Sequence, residues 1–282
     1  MQQGTYFPTH GMHAIAQSLY GLAKDKGVQF LLEHEAKEIL CDQDKAIGVM
    51  AKDLSNNTSY KLLSDVVISN ADVYHTYEYL LPHFKTPHHI KTQERSSSGL
   101  IFYWGIKKEF SELDLHNIFF SDHYQQEFED IFEHKKAPED PTIYLNISSK
   151  EKPSDAPKGC ENWFVMINVP SNSGQNWDII KEKAKKHIID KLNKQLDTQL
   201  EDLIETEDIL DPIGIEKNTA SFQGALYGTS SNHSQAAFLR QSNRSKDIQN
   251  LFFCGGSAHP GGGIPLCLQS AKITSELIAP EN

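Results

Sequence analysis

Along residues 11–27, GMHAIAQSLYGLAKDKG, apolar side chains recur at three- and four-residue steps: Met12, Ile15, Leu19, Leu22 and Ala23. That is the stripe of an amphipathic helix, and Gly27 suits its C-terminal cap. The following VQFLLEHEAKEILCDQDKAIGVMAKD breaks into short apolar groups around the polar DQDK, the pattern of strands joined by a hairpin. NNTSYKLLSDVVISNAD adds another strand, with Val66, Val67 and Ile68 predicted as a buried run and SNAD as the turn after it.

The middle of the chain changes character. GLIFYWGI (99–106), NIFFS (117–121), PTIYLNIS (141–148) and NWFVMINV (162–169) are aromatic and β-branched. They read as a group of antiparallel strands, because most are not separated by a helix-length linker. YQQEFEDIFEHKKAPEDP predicts a short helix ending before Pro138. WDIIKEKAKKHIIDKLNKQL predicts a longer one, with Ile180, Ala184, Ile188 and Leu192 on one face and lysines crowding the other. Near the end, Leu251, Phe252 and Phe253 form a short strand that suits a buried position, followed by CGGSAHPGGGI and a helix from Pro265. Leu266, Ile273 and Leu277 give that helix an apolar stripe, and Ser270 and Ala271 are small enough to lie close to a sheet. The fold class predicted is mixed α/β (α+β), with α/β segments at both ends and an aromatic, strand-rich insert. The expected boundaries are 1–85, 86–220 and 221–282, the first and third sharing one lobe.

Composition narrows the function. With 38% hydrophobic residues in 282, the chain can build a core for one large domain or two modest ones. A formal charge of -11 argues against a nucleic-acid binder, which needs a basic face. Cys41, Cys160, Cys254 and Cys267 form no CxxC pair, so a reduced cytoplasmic protein is the simplest reading. The histidines include HGMH and PHH but no HExxH, and no metal site is expected. No apolar run approaches the roughly 20 residues of a membrane span. The turn-rich opening MQQGTYFPTHGM carries no signal-peptide pattern and reads as entry partway through a domain.

The chemistry concentrates in the closing loop. Gly255 and Gly256 let the backbone turn where a side chain blocks it, and Gly261, Gly262 and Gly263 permit close approach of a ligand. Pro265 fits the first turn of a helix, where its missing N–H costs nothing. A helix N-terminus carries about half a unit of positive charge and free N–H groups, which suit a phosphate or the anionic edge of a reduced flavin. Spacing alone is equally compatible with a plain strand-turn-helix whose glycines serve packing.

The residues themselves go further. CGGSAHPGGGIPLCLQSAK resembles the C-terminal FAD motif of the bacterial phytoene desaturase family of carotenoid desaturases, with His259, Pro260, Gly261, Gly263, Ile264 and Pro265 matching its HPGxGIP. GTYFPTHGMHAIAQSLYGLAKDKGVQF resembles the family's YFPxGGM segment, although Thr9-His10 stands where a small residue and glycine are usual. DVVISNADVYHTYEYLL is similar to its VVxNADxxxTY, and GALYG (224–228) and Arg240 also have counterparts. The resemblance covers residues 4–278, with SSSGLIFYWGIKKEF and NWFVMINVP most like desaturases of hydroxylated or later carotenoid intermediates. The family's opening GxGxxG segment, with an acidic residue after it, has no match. The resemblance therefore implies an incomplete FAD-binding, two-lobed flavoprotein fold with a strand-rich substrate domain, a fragment that binds FAD weakly and is inactive on its own.

What the family implies is dehydrogenation of a polyene: an allylic hydride leaves to flavin, a proton leaves the neighbouring carbon, and a conjugated double bond forms. Gly255, Gly256, Gly261, Gly262, Gly263 and Ile264 are the implied FAD contacts, with Ala36 in HEAKEI offering backbone contacts to the adenine. Phe102, Trp104, Phe119 and Phe164, with Phe120, are candidates to line a tunnel for the lipophilic polyene, against the alternative of ordinary core. No residue stands out as catalytic acid or base; His259 and Arg240 read as structural. A lipophilic substrate implies peripheral attachment to a membrane surface. Competing readings are a polyene isomerase, an amine oxidase-like flavoenzyme, or a flavin-free prenyl-binding carrier of the same superfamily.

Overall fold

The computed structural model describes residues 6–230 and 240–279. In chain order the elements are α1 (His13–Asp25), β1 (His34–Asp42), β2 (Lys45–Asp53), β3 (Ser59–Leu63), β4 (Val67–Ser69), α2 (Val73–His75, running into a π turn), α3 (His88–Thr92), β5 (Ser98–Ile106), β6 (His116–Phe119), α4 (Tyr124–Phe132), β7 (Ile143–Asn146), β8 (Glu161–Val169), α5 (Trp177–Leu196), β9 (Ile204–Leu210), α6 (Pro212–Thr219), β10 (Leu251–Phe253) and α7 (Ile264–Ile278). The chain divides into two compact units. One holds the described part of Met1–Leu31 with Gly99–Val169 and Asn176–Asp211; the other holds Leu32–Ser98, Pro170–Gln175 and the described part of Pro212–Asn282. Against the expected boundaries, the described part of 1–31 joins the strand-rich unit, while 170–175, 212–220 and 86–98 join the other, the last because Ile90 is buried with Tyr77, Leu80, Leu81 and Phe253.

The strand-rich unit is a five-stranded sheet in the order β6-β7-β8-β5-β9. The β6–β7, β7–β8 and β5–β9 pairs are antiparallel, as expected, although α4 lies between β6 and β7 and most of the unit lies between β5 and β9. In β8 the odd positions Trp163, Val165, Ile167 and Val169 are buried and the even ones half-buried, the period-2 signature of a sheet with one face on a core. That core face packs on α5 through Ala184, Ile188, Ile189 and Leu192, so the predicted helix face is the buried one. Asn176 caps α5 through the amide of Ile179.

The other unit has an antiparallel β1-β2-β3 sheet and a parallel β4–β10 pair. DQDK does form the β1–β2 turn, since Asp42 pairs with Lys45. Three expectations need correction. Val66, Val67 and Ile68 are not a buried run: Val67 and Ser69 face inward while Ile68 is 50% exposed, because β4 alternates. Helix α1 forms as predicted but buries none of its residues, and its stripe of Met12, Leu19 and Leu22 lies exposed. In α7 the buried positions are Ser270 and Thr274, whereas Leu266 and Leu277 of the predicted stripe, and also Ala271, are exposed. That helix packs through hydroxyls that hydrogen-bond Asn243, Phe253 and Gly255, so its apolar period points elsewhere.

Candidate functional site

The parallel pairing of β4 with β10 brings the SNAD turn against the glycine loop. Ser69 O accepts the amide of Cys254 at 3.0 Å, Asn70 Nδ2 donates to Cys254 O at 3.0 Å, and the amide of Val73 donates to Ser257 Oγ at 3.1 Å. Asp72 caps the short α2 by accepting from the amide of Tyr74 at 2.8 Å. Gly255 sits at φ +101°, and a Cβ there would lie 2.4 Å from Asn70 Nδ2, so only glycine lets the turn and the loop meet.

The loop then folds back on itself. A Cβ on Gly256 would be 3.5 Å from Gly262 Cα, which places the two glycine groups side by side. Tyr227 covers Gly262 closely, 2.4 Å from its Cδ1 to where a Cβ would stand. Gly263, at φ +94°, has nothing within 4 Å of that position and forms the N-cap of α7. No side chain caps α7, and its first turn carries no acidic residue. The first amides of a helix lack intrahelical partners, so this end offers hydrogen-bond donors and partial positive charge. An open glycine cradle before an uncapped helix fits an anionic or electron-rich edge such as a flavin's. The structure thus assembles Gly255, Gly256, Gly261, Gly262, Gly263 and Ile264 in one loop. Ala36 is exposed beside an irregularity in β1 of the three-stranded sheet.

Arg240 is buried and donates to three backbone carbonyls. Nη1 donates to Tyr227 O at 2.7 Å and Gly256 O at 3.1 Å, and Nη2 donates to Thr229 O at 2.8 Å. These bonds clamp the loop. His259 contributes its backbone: its amide donates to Gln241 O at 2.8 Å. A second buried guanidinium, Arg95, lies 4.7 Å from the ring centre of Phe222 and 5.6 Å from that of Tyr74, and those rings stack at 3.6 Å. It also donates to Ile90 O. Burial pulls Arg95 below the usual arginine range and pushes Asp72 above the usual carboxylate range, each partly offset by the other's charge. Sequence reading missed Asn70, Arg95 and Asn243; the first stood in SNAD, and the others carried no local pattern. Among the described residues no group of three or more His, Cys, Asp or Glu is placed to hold a metal.

The aromatic candidates fall on two faces of the five-stranded sheet. Phe102 and Trp104 are sealed in the core against α5, with Phe119 packed at its margin, and Trp104 Nε1 donates to Glu207 at 2.6 Å. Phe164 is on the opposite face. There Tyr103, Phe164, Tyr144 and His116 form a row across four adjacent strands, with ring centres 5.5, 6.2 and 6.0 Å apart. His116 Nδ1 lies 2.8 Å from the Tyr144 hydroxyl. Tyr103 and Phe164 border a cleft of about 660 Å³ that also reaches Asn146, Asn162 and Thr206. Phe120, at the end of β6, is exposed.

A family model described as flavin containing amine oxidoreductase matches residues 1–279, so the chain belongs to that family. Over 279 residues it is 54% identical to a 1-hydroxycarotenoid 3,4-desaturase of Flavobacterium sp., covering 99% of this chain and 56% of that protein. It is 33% identical over 301 residues to a phytoene desaturase of Fusarium fujikuroi, covering 99% of this chain and 52% of that one. The chain therefore spans about half the length of the curated relatives it matches. Among solved structures, an oxidoreductase from Methanosarcina mazei superposes with a TM-score of 0.62 at 13% identity, over 95% of this chain and 55% of that one. A cyclohexylamine oxidase from Brevibacterium oxydans gives 0.54 at 14%, over 95% and 53%. These two share the mixed α/β fold.

Proposed function

We propose that the chain serves FAD-dependent desaturation of an acyclic carotenoid, with a hydroxylated carotenoid as the preferred substrate class. The observation that carries this is the 54% identity to the 1-hydroxycarotenoid 3,4-desaturase, over an alignment that spans 99% of this chain. Flavin supplies the hydride acceptor in this chemistry. The residues that would hold it are the backbone of Gly261–Ile264 and the first turn of α7, with Gly255 and Gly256 shaping the turn and Arg240 fixing it. The row of Tyr103, Phe164, Tyr144 and His116 supports the substrate reading. Three strand spacings make it about 14 Å long, an aromatic row in which the Phe164 ring stands edge-on to Tyr103 and Tyr144 at 73° and 70°, offering apolar ring edges and faces to a long conjugated chain. Phe102 and Trp104 back that sheet from the core side.

Such a substrate is met at a lipid surface, and peripheral attachment there is part of the proposal. No helix among the described residues is long and apolar enough to cross a membrane. The test is to mix the purified chain anaerobically with FAD and a detergent-dispersed 1-hydroxylated acyclic carotenoid. The expected result is bleaching of the oxidised flavin band together with a red shift of the polyene band. Bound flavin that stays oxidised beside an unshifted polyene refutes the reaction, and no bound flavin even at millimolar FAD, where weak binding by half of the fold is still visible, refutes the cofactor.

A further inference from the structure

The backbone that faces the proposed cofactor is held from beneath by one amide. Asn243 is 2% exposed. Its Nδ2 lies 2.9 Å from His259 O, 3.1 Å from Phe253 O, 2.9 Å from Ser270 Oγ and 3.3 Å from Thr274 Oγ1. The two carbonyls only accept hydrogen bonds, which fixes the nitrogen of the side chain, not its oxygen, toward them. The backbone joins in: Asn243 O accepts the amide of Phe253 at 2.8 Å. Ser270 Oγ also accepts the amide of Gly255 at 3.2 Å, and Thr274 Oγ1 donates to Phe253 O at 2.9 Å. One side chain thus connects the end of β10, the loop at His259 and the buried face of α7. Arg240 holds the loop at Gly256 O, whereas Gly263 is open and α7 uncapped, so Asn243 is the side chain that reaches the His259 end of the loop and α7 together.

We propose that Asn243 is the positioning residue of the flavin loop, setting through Phe253, His259 and Ser270 where the Gly261–Ile264 backbone is presented. The role rests on the flavin reading above. Asp at this position is isosteric but turns a donor into an acceptor facing two carbonyl oxygens, so N243D removes the tie without removing volume. Losing one net hydrogen bond of this kind corresponds to about a tenfold change in an equilibrium.

The experiment compares wild type, N243D and the milder S270A by hydrogen exchange of peptides covering 254–264 and by FAD titration to millimolar concentration. Flavin fluorescence and the vibronic shape of the visible band are read together. In N243D, loop exchange should rise and FAD affinity fall, each by about tenfold, with a less structured flavin band. S270A should move the same readings by a smaller factor. Peptides of the five-stranded sheet should exchange as in wild type, which shows that the variants fold. If wild type and N243D bind FAD with equal affinity and identical spectra, the positioning role is overturned while the flavin reading stands. If wild type leaves free FAD unchanged, the flavin reading falls, and the role falls with it. Should N243D not fold, an S270A protein with faster loop exchange but unaltered FAD binding and spectrum overturns the role by itself.

Discussion

Replacing Gly255 with alanine should destabilise the protein by about 2–3 kcal/mol, through two separable causes. The backbone at φ +101° lies outside the range an L-residue adopts freely, which costs about 1–2 kcal/mol. The new Cβ also lands 2.4 Å from Asn70 Nδ2. Asn70 must swing away and give up its 3.0 Å bond to Cys254 O, a loss of about 1 kcal/mol. The melting temperature should fall by roughly 4–12 °C, read by near-ultraviolet circular dichroism. The N70A variant separates the causes. With Asn70 already gone, G255A should cost only its backbone part, so the double-mutant cycle should show a coupling of about 1 kcal/mol. A melting temperature within about 1 °C of wild type, or strictly additive effects, would show that the turn and the loop do not meet as described.

Arg240→Met leaves the carbonyls of Tyr227, Thr229 and Gly256 without their donor, and should lower stability by about 3 kcal/mol or more in urea titrations. Trp104→Ala should cost about 3–5 kcal/mol as a core deletion. Phe164→Ala, on the opposite face, should cost far less yet weaken polyene binding measured by absorbance shift; equal stability losses would contradict the two-face assignment. Asp140 is held below the usual carboxylate range: burial alone raises it, but Lys191 at 2.7 Å, the amide of Asp122 and Ser121 outweigh that. Because its folded pKa is depressed, its contribution is present above about pH 4 and lost as pH falls through the folded value. D140N should therefore flatten the acid limb of the stability profile, by under about 1 kcal/mol for so exposed a pair.

The elements that sequence made legible are those whose pattern is set by one buried face. Residues 177–196 show this best: Ala184, Ile188 and Leu192 are both the periodic positions and the buried ones. The edge strand Ile204–Leu210 carries no such signal. Its residues are acidic and mostly exposed, and it is a strand because its backbone pairs with β5, Phe102 opposite Ile209 and Trp104 opposite Glu207. Periodicity also says which face of a helix would pack but not what it packs on, so α1 keeps its stripe without burying it. At the site, the glycines were readable because each answers a local need for a turn or a close approach. Asn243 and Arg95 were not, since their partners lie in segments that only the fold brings together. Aromatic composition identified a sheet but not its sidedness, which is why Phe102 and Phe164 looked alike.

The pairing of β4 with β10 also dictates an order of assembly. Asn70 and Cys254, like Val73 and Ser257, meet across a separation of 184 residues. Closing so long a loop costs about 5 kcal/mol of chain entropy beyond the constant term, and contacts this remote form slowly. The whole five-stranded sheet lies inside that interval and closes through much shorter loops. It can therefore form while residues 251–253 are still unmade on the ribosome, whereas the glycine loop gains its shape only once they arrive. The glycine loop is thus shaped only after the sheet enclosed by that interval has had the chance to form.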